Sequence, residues 1–221
     1  MARTLPSRQE YLTRWQELHG GFDPRSSRFV GPWLSMVYML ARPLAQVGLS
    51  PDSVTALGLV VSAFVVVLCW LGGWWVIAAA VVVGISGVFD SLDGAVAVLS
   101  DRATRWGSVL DSLVDRISDA LYLVALWLVG APAWVCVAAG FALGLLEYTR
   151  ARAAATGLDE VGILTVGERP TRVTVAAMFL LAAGIYRSES VFWATSGAAV
   201  LLLVSGIGFG QLVVLVRHRL R

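Results

Sequence analysis

The sequence predicts an all-α integral membrane protein, with six transmembrane helices behind an N-terminal interfacial helix and both termini in the cytoplasm. Three observations carry that expectation. Of 221 residues, 57% are hydrophobic and only 14% charged, and the mean hydropathy is +0.75; soluble domains do not have this balance. Six apolar runs of about 20 residues each alternate with short turn-rich or charged stretches. All 17 basic residues are arginine, and nearly all fall on one side of those runs.

The chain divides at residue 50 into an N-terminal segment, 1–50, and a six-helix domain, 51–221. Residues 1–31 are polar and carry Arg3, Arg8, Arg14, Arg25 and Arg28. They lack the short apolar run and small-residue cleavage site of a signal peptide. The stretch PWLSMVYMLARPLAQVGL, 32–49, is apolar but interrupted by Arg42-Pro43. It is expected to be an interfacial or re-entrant helix, with a kinked seventh span as the alternative. Ser50 is positioned as an N-cap with Pro51 at the first helical position. Span one covers 54–74, and Gly72-Gly73 with Trp74-Trp75 marks a tight turn at a membrane interface. Spans two to six cover 76–99, 106–129, 133–155, 172–186 and 191–216. The longest internal loop is 156–170.

With the N-terminus on one side, six spans put the 100–105 loop, the 150–172 run and the C-terminal tail on that side too. Only Arg187 then falls on the other face, and Arg116 lies inside span three. Positive charge is retained in the cytoplasm, so both termini are cytoplasmic. Cys69 and Cys136 sit in apolar runs and make neither a disulfide framework nor a metal knot. His19 and His218 lie near opposite ends and form no ligand cluster. With no lysine in the chain, any cationic chemistry falls to arginine.

The residues that carry chemistry lie in DSLDGAVAVLSDRATRWGSVLDSLVD, 90–115. Asp90 and Asp93 are three apart, Asp111 and Asp115 four apart, so each pair projects from one helix face. Carboxylates are costly on membrane helices and mark function. The short loop makes spans two and three antiparallel neighbours, so all four acids converge near the cytoplasmic surface. Together they repel, and metal ions relieve that repulsion. An all-oxygen set selects a hard cation, Mg²⁺ or Mn²⁺, and two pairs could hold two ions for phosphoryl transfer. Gly94 and Gly107 lie one turn from Asp90 and Asp111 on the same faces, giving a ligand access to the backbone. On spacing alone two other uses stay open. The acids could pair with Arg102, Arg105 and Arg116 structurally, or form the ion site of a cation-coupled transporter. The chain shows no second copy of the acidic pattern, as a repeat-built transporter often would.

This stretch resembles the signature of the CDP-alcohol phosphotransferase family, D-x2-D-G-x2-A-R-x8-G-x3-D-x3-D. Asp90, Asp93, Gly94, Ala97, Gly107, Asp111 and Asp115 match, and Val98 stands where the family has arginine. The resemblance implies transfer of a substituted phosphate from a CDP-alcohol to a hydroxyl, with release of CMP. It implies Asp90, Asp93 and Asp111 as metal ligands and Asp115 as general base, also in reach of metal. Pro51 and Thr55 resemble the family's P-N-x2-T start of the first span, near the nucleotide, with Asp52 in place of the asparagine; simple helix capping is the alternative. Gly94, Ala97 and Gly107 fall at the nucleotide, and Arg102 or Arg105 is the expected substitute for the missing arginine.

Three further stretches resemble the bacterial phosphatidylinositol-phosphate synthase branch: LDSLVDRISDA at 110–120, YTRARAAATG at 148–157 and ERPTR at 168–172. That branch implies an inositol phosphate acceptor, with glycerol phosphate or another alcohol as the alternative. Arg150, where that branch has lysine, with Arg152, Arg169 and Arg172, is expected to hold the acceptor's phosphate. Asp119 is expected to pair with an arginine, and Glu147 to orient Arg150 or Arg152. The implied donor is CDP-diacylglycerol, entering from membrane lipid, with the active site on the cytoplasmic face of the plasma membrane. No nucleic-acid partner is expected. Gly140-x3-Gly144 permits close packing in a homodimer.

Overall fold

The computed structural model of the protein describes residues 5–18, 20–158 and 165–220. Arg3, His19, Arg221 and part of the 156–170 loop lie outside them. Among the described residues there are eight α-helices, two short 3₁₀ turns and no strand. The helices are α1 (Arg8–Leu18), α2 (Val30–Gln46), α3 (Pro51–Leu71), α4 (Trp75–Ser100), α5 (Arg105–Val129), α6 (Ala133–Ala155), α7 (Arg169–Ile185) and α8 (Ser190–Arg219). Helices α3 to α8 follow the six predicted runs to within a few residues.

α1 was not expected. Its start is a capping box: the Ser7 amide donates to Glu10 Oε2 at 2.6 Å, and the Glu10 amide donates to Ser7 Oγ at 3.3 Å. α2 runs through Pro43 instead of breaking there. Pro43 lies in the last helical turn and leaves the Met39 carbonyl without its ladder donor, and Gly48 at φ +79° then turns the chain. The expected cap of α3 is present, with the Ser53 amide donating to Ser50 Oγ at 3.2 Å. Gly72 and Gly73, at φ +67° and +58°, make the predicted turn into α4.

α4 ends in a Schellman motif built without glycine. Asp101 adopts φ +53°, and the Arg102 amide folds back to donate to the Ala97 carbonyl at 3.0 Å. Thr104 then caps α5, its Oγ1 accepting from the Gly107 amide at 2.9 Å. A four-residue link, 101–104, thus joins the two helices that carry the acids.

Two compact units emerge. The first comprises 1–59 and 87–115, the second 60–86 and 116–221. The core of the first joins α1, α2 and the acid-bearing turns of α4: Tyr11 and Leu12 pack with Val37, Tyr38, Val54 and Val96. The core of the second gathers Val65, Val83, Leu126, Leu180, Ala198 and their neighbours. Within it α8 packs along α6 and α7 through a face of small residues, including Ala194, Gly197, Ala198, Ser205 and Gly208. Small side chains let helices approach closely where the solvent is itself apolar.

Among the described residues, three stretches are long and apolar enough to cross a membrane: Pro51–Leu71, Trp75–Ser100 and Arg187–Arg219. The other long helices carry the charged residues described below.

A side chain at Gly197 would collide with its neighbour, since a Cβ there lies 2.6 Å from Phe179 Cβ. Gly197→Ala is expected to lose about 1–3 kcal/mol of stability. The loss would appear as a Tm several degrees lower for the detergent-solubilised protein. Gly84→Ala, which meets open space, should not lower it.

Candidate active site

Both acid pairs belong to the first unit, and three of the four acids come together. Asp90, Asp111 and Asp115 each offer a carboxylate oxygen, all within 4.8 Å of one another. Helical spacing explains this: Asp111 and Asp115 are one turn apart on α5, and the short link folds them toward Asp90 on α4. A set of hard oxygen donors so close, each half-buried, suits a divalent cation with oxygen preference.

Asp93 is not part of that group. Its side chain is buried and turned to α3, where Thr55 Oγ1 donates to Oδ2 at 2.6 Å. Oδ1 accepts from the Gly94 amide, also at 2.6 Å. The Thr55 hydroxyl lies 3.1 Å from the Pro51 carbonyl as well. Thr55 therefore does more than sit in the first turns of a helix: it holds the buried carboxylate in place, since such a group is costly without partners.

Asp90, Asp93 and Asp111 open on a cavity of about 590 Å³. Pro51, Thr55, Gly94, Ala97 and Gly107 line it, as the sequence indicated, and so does Val98. Of the two candidate substitutes for the missing arginine, Arg102 lines the cavity and Arg105 does not. The αL turn at Asp101 directs Arg102 back over the end of α4, where Nη1 donates to the Gly48 carbonyl at 3.4 Å. Arg105 opens α5 on its exposed side.

Sequence reasoning missed Thr104 and the part of the cavity wall built by α1 and α2, which includes Tyr11, Trp15, Leu18 and Trp33. Trp33 Nε1 donates to Ser91 Oγ at 3.2 Å, tying α2 to α4. The Ser7-x-x-Glu10 pattern was the available signal for α1. At Gly107 an added Cβ would come 3.2 Å from Thr104 Oγ1 and 3.5 Å from Asp52 Oδ1. Glycine there keeps the N-terminal turn of α5 open at the cavity, with the positive end of its dipole at an anion's disposal.

The four arginines predicted for the acceptor lie in the second unit, and the sequence did not reveal how fully two of them are engaged. Arg172 is only 2% exposed, with Nη1 2.8 Å from Glu147 Oε1 and Nη2 3.4 Å from Asp119 Oδ2. Arg116 reaches the same two acids at 2.6 and 3.5 Å. Asp119 pairs with arginine as expected, whereas Glu147 serves Arg116 and Arg172 and no described contact takes it to Arg152. Arg150 grips Glu168 with both terminal nitrogens, at 2.7 and 3.0 Å. Glu168 Oε1 also accepts from the amide and hydroxyl of Thr165 at 2.8 and 2.9 Å. Arg169 is half-buried at the start of α7, and Arg152 is exposed. Burial alone would raise the Glu168 carboxyl, but the hydrogen bonds from Arg150 and Thr165 outweigh it and hold the group below its ordinary value.

Comparison with known proteins bears directly on this arrangement. A family model described as CDP-alcohol phosphatidyltransferase matches residues 48–207. An archaetidylinositol phosphate synthase of Aeropyrum pernix is 33% identical over 133 residues, which is 59% of this chain and 66%, just under two thirds, of that one. A phosphatidylinositol phosphate synthase of Mycobacterium tuberculosis is 35% identical over 181 residues, 76% of this chain and 79% of the relative. A crystal structure of the Mycobacterium tuberculosis enzyme with CDP-DAG bound superposes with a TM-score of 0.68 at 29% identity, covering 82% of this chain and 94% of that chain. A second, in complex with manganese and citrate, gives the same TM-score and covers 88% of its chain.

Two outcomes follow for the ionic cluster. Arg172→Met strips a cation from the buried Asp119 and the half-buried Glu147 and is expected to cost about 3–5 kcal/mol, read by thermal denaturation, with Asp119→Asn in the same chain recovering part of the loss. The depressed pKa of Glu168 means that its ion pair stabilises the fold at and above the ordinary value of 4.5. That contribution fades as pH falls through the depressed value, so the Tm difference between Glu168→Gln and wild type should shrink as the pH is lowered below 4.5.

Proposed function

Since the chain belongs to the CDP-alcohol phosphatidyltransferase family, we propose that it transfers a phosphatidyl group from CDP-DAG to a hydroxyl of inositol phosphate, releasing CMP. Family membership makes it a transferase of phospholipid biosynthesis. The observation that carries the proposal is the Asp90–Asp111–Asp115 cluster, set at the cavity inside the matched segment.

Asp90, Asp111 and Asp115 would hold Mg²⁺ or Mn²⁺, with Asp93 completing the set for a second ion. Bound metal would neutralise the diphosphate and favour departure of CMP. The protein's residues do the rest. Asp115 takes the proton of the acceptor hydroxyl as its oxygen forms the new bond to phosphorus and the bond to the CMP oxygen breaks. Thr55 and the Gly94 amide hold the Asp93 carboxyl in its orientation. The positive end of the α5 dipole and the Arg102 guanidinium attract the nucleotide's phosphates. Arg150, Arg152, Arg169 and Arg172 would take the acceptor's phosphate, and the carboxylates of Glu147 and Glu168 pre-orient the planar guanidinium groups of Arg172 and Arg150.

The same proposal places α3 to α8 across the plasma membrane, with both termini and the active site cytoplasmic. The charges that lower the hydropathy of α5, α6 and α7 are largely paired, which makes their passage affordable. Residues 1–50 would form the cytoplasmic and interfacial segment and 51–221 the catalytic domain, in keeping with a family match that begins at residue 48. A Cβ at Gly144 meets open space, which leaves room for a second copy in a homodimer.

The test is CMP release by the purified full chain with CDP-DAG, Mn²⁺ or Mg²⁺ and a panel of acceptors. Inositol phosphate should give the fastest turnover, and EDTA should abolish it. Asp115→Asn should lower kcat by at least about 10²-fold while CDP still binds. Faster reaction with glycerol phosphate would replace the acceptor. Folded protein that releases no CMP with any acceptor would overturn the assignment.

A further inference from the structure

α1 lies outside the segment that the family model matches, 48–207, yet Tyr11, Trp15 and Leu18 form part of the cavity wall. The helix is firmly seated. Tyr11 is buried against Tyr38, ring centroids 5.6 Å apart. Tyr38 Oη donates to the Pro6 carbonyl at 3.1 Å, and Arg25 Nη2 donates to the Gln9 carbonyl and Thr13 Oγ1 at 3.1 and 2.9 Å. From the far side Arg14 Nη1 donates to the Val98 carbonyl at 3.5 Å. Trp15 is half-buried, edge-on to Phe22 with centroids 6.5 Å apart.

The outer surface of α1 is polar, with Arg8, Gln9, Glu10, Thr13 and Glu17 exposed. A helix of this kind lies no deeper than the headgroup–acyl boundary. The ligand part that meets it is therefore one held at headgroup level. Charge complementarity puts the diphosphate, with its metal, at the carboxylates, which leaves the nucleoside for the aromatic wall. A pyrimidine presents a π face, and indole is a strong stacking partner for it.

We infer that Trp15 is a further nucleotide-binding residue, packing against the pyrimidine ring of the cytidine nucleotide and making α1 part of the substrate site. This rests on the cavity being the CDP-alcohol site. It gives a segment outside the matched domain a direct part in donor affinity, separate from the acceptor and from the chemistry of the acids.

The experiment is calorimetric titration of the full chain in detergent with CDP and Mn²⁺, alongside steady-state kinetics of CMP release. Trp15→Ala should weaken CDP binding and raise the KM for CDP-DAG about tenfold. The kcat and the KM for the acceptor should stay within about twofold, since the stacked ring is equally bound in ground and transition states. Trp15→Phe should retain most of the affinity. Trp15→Leu, which keeps apolar bulk for folding but no π face, should behave like Trp15→Ala. A merely structural role would lower the active fraction and leave the CDP affinity of the folded molecules unchanged. Wild-type affinity in Trp15→Leu would overturn the inference alone. No CDP binding by the wild-type chain would overturn the reading of the cavity as well.

Discussion

Ionised carboxylates are expensive in an apolar chain, and the structure is organised around how each is compensated. Asp93 is met by a hydroxyl and an amide, Thr55 and Gly94. Asp119 and Glu147 are met by the guanidinium groups of Arg116 and Arg172. Glu168 is met by Arg150 and Thr165. Asp90, Asp111 and Asp115 face one another across less than 5 Å, and a mobile divalent cation is the compensation that suits them. The first three solutions come from within the protein. The last brings its counter-charge from outside, and with it chemistry.

The two compact units use different means to hold these groups. In the first, local backbone devices dominate: caps at Ser50 and Thr104, the αL turn at Asp101, and the close approach that Gly107 permits. These set the acid-bearing faces together with two longer-range hydrogen bonds, Thr55 to Asp93 and Trp33 to Ser91. In the second, arginine–carboxylate pairs join α5, α6 and α7 while small residues on α8 let the backbones close up. With no lysine present, each cation is a planar fork that remains charged at any relevant pH, which suits a network built on fixed geometry.

Much of this was legible from residue order. The six long helices follow from hydropathy and glycine-proline punctuation, and the convergence of Asp90 with Asp111 and Asp115 follows from helical spacing and a short link. Three things were not. α1 has too few apolar residues for periodicity to reveal it; its capping box is a local signal that polar composition masked. Asp93 looked equivalent to Asp90, because spacing puts both on one face but does not say which carboxylate finds a hydroxyl donor on α3. The arginines at 150 and 172 read as open phosphate ligands, because their acidic partners at 168, 147 and 119 are distant in sequence or attributed to other pairs. Pairing is a property of tertiary structure, and residue order constrains it weakly.

The link 101–104 has one more consequence. Each residue of an α-helix advances its direction by about 100°, so the number of residues between Asp90 and Asp111 fixes the rotational phase of one acid face against the other. The link works as a phase lock, clamped by the turn at Asp101 and the cap at Thr104. Its length is then under tighter constraint than its chemistry. This explains how the segment can accept Val98 in place of a charged residue and still present its carboxylates in register. In such a site a substitution edits the ligand, whereas an insertion or deletion dephases the whole site.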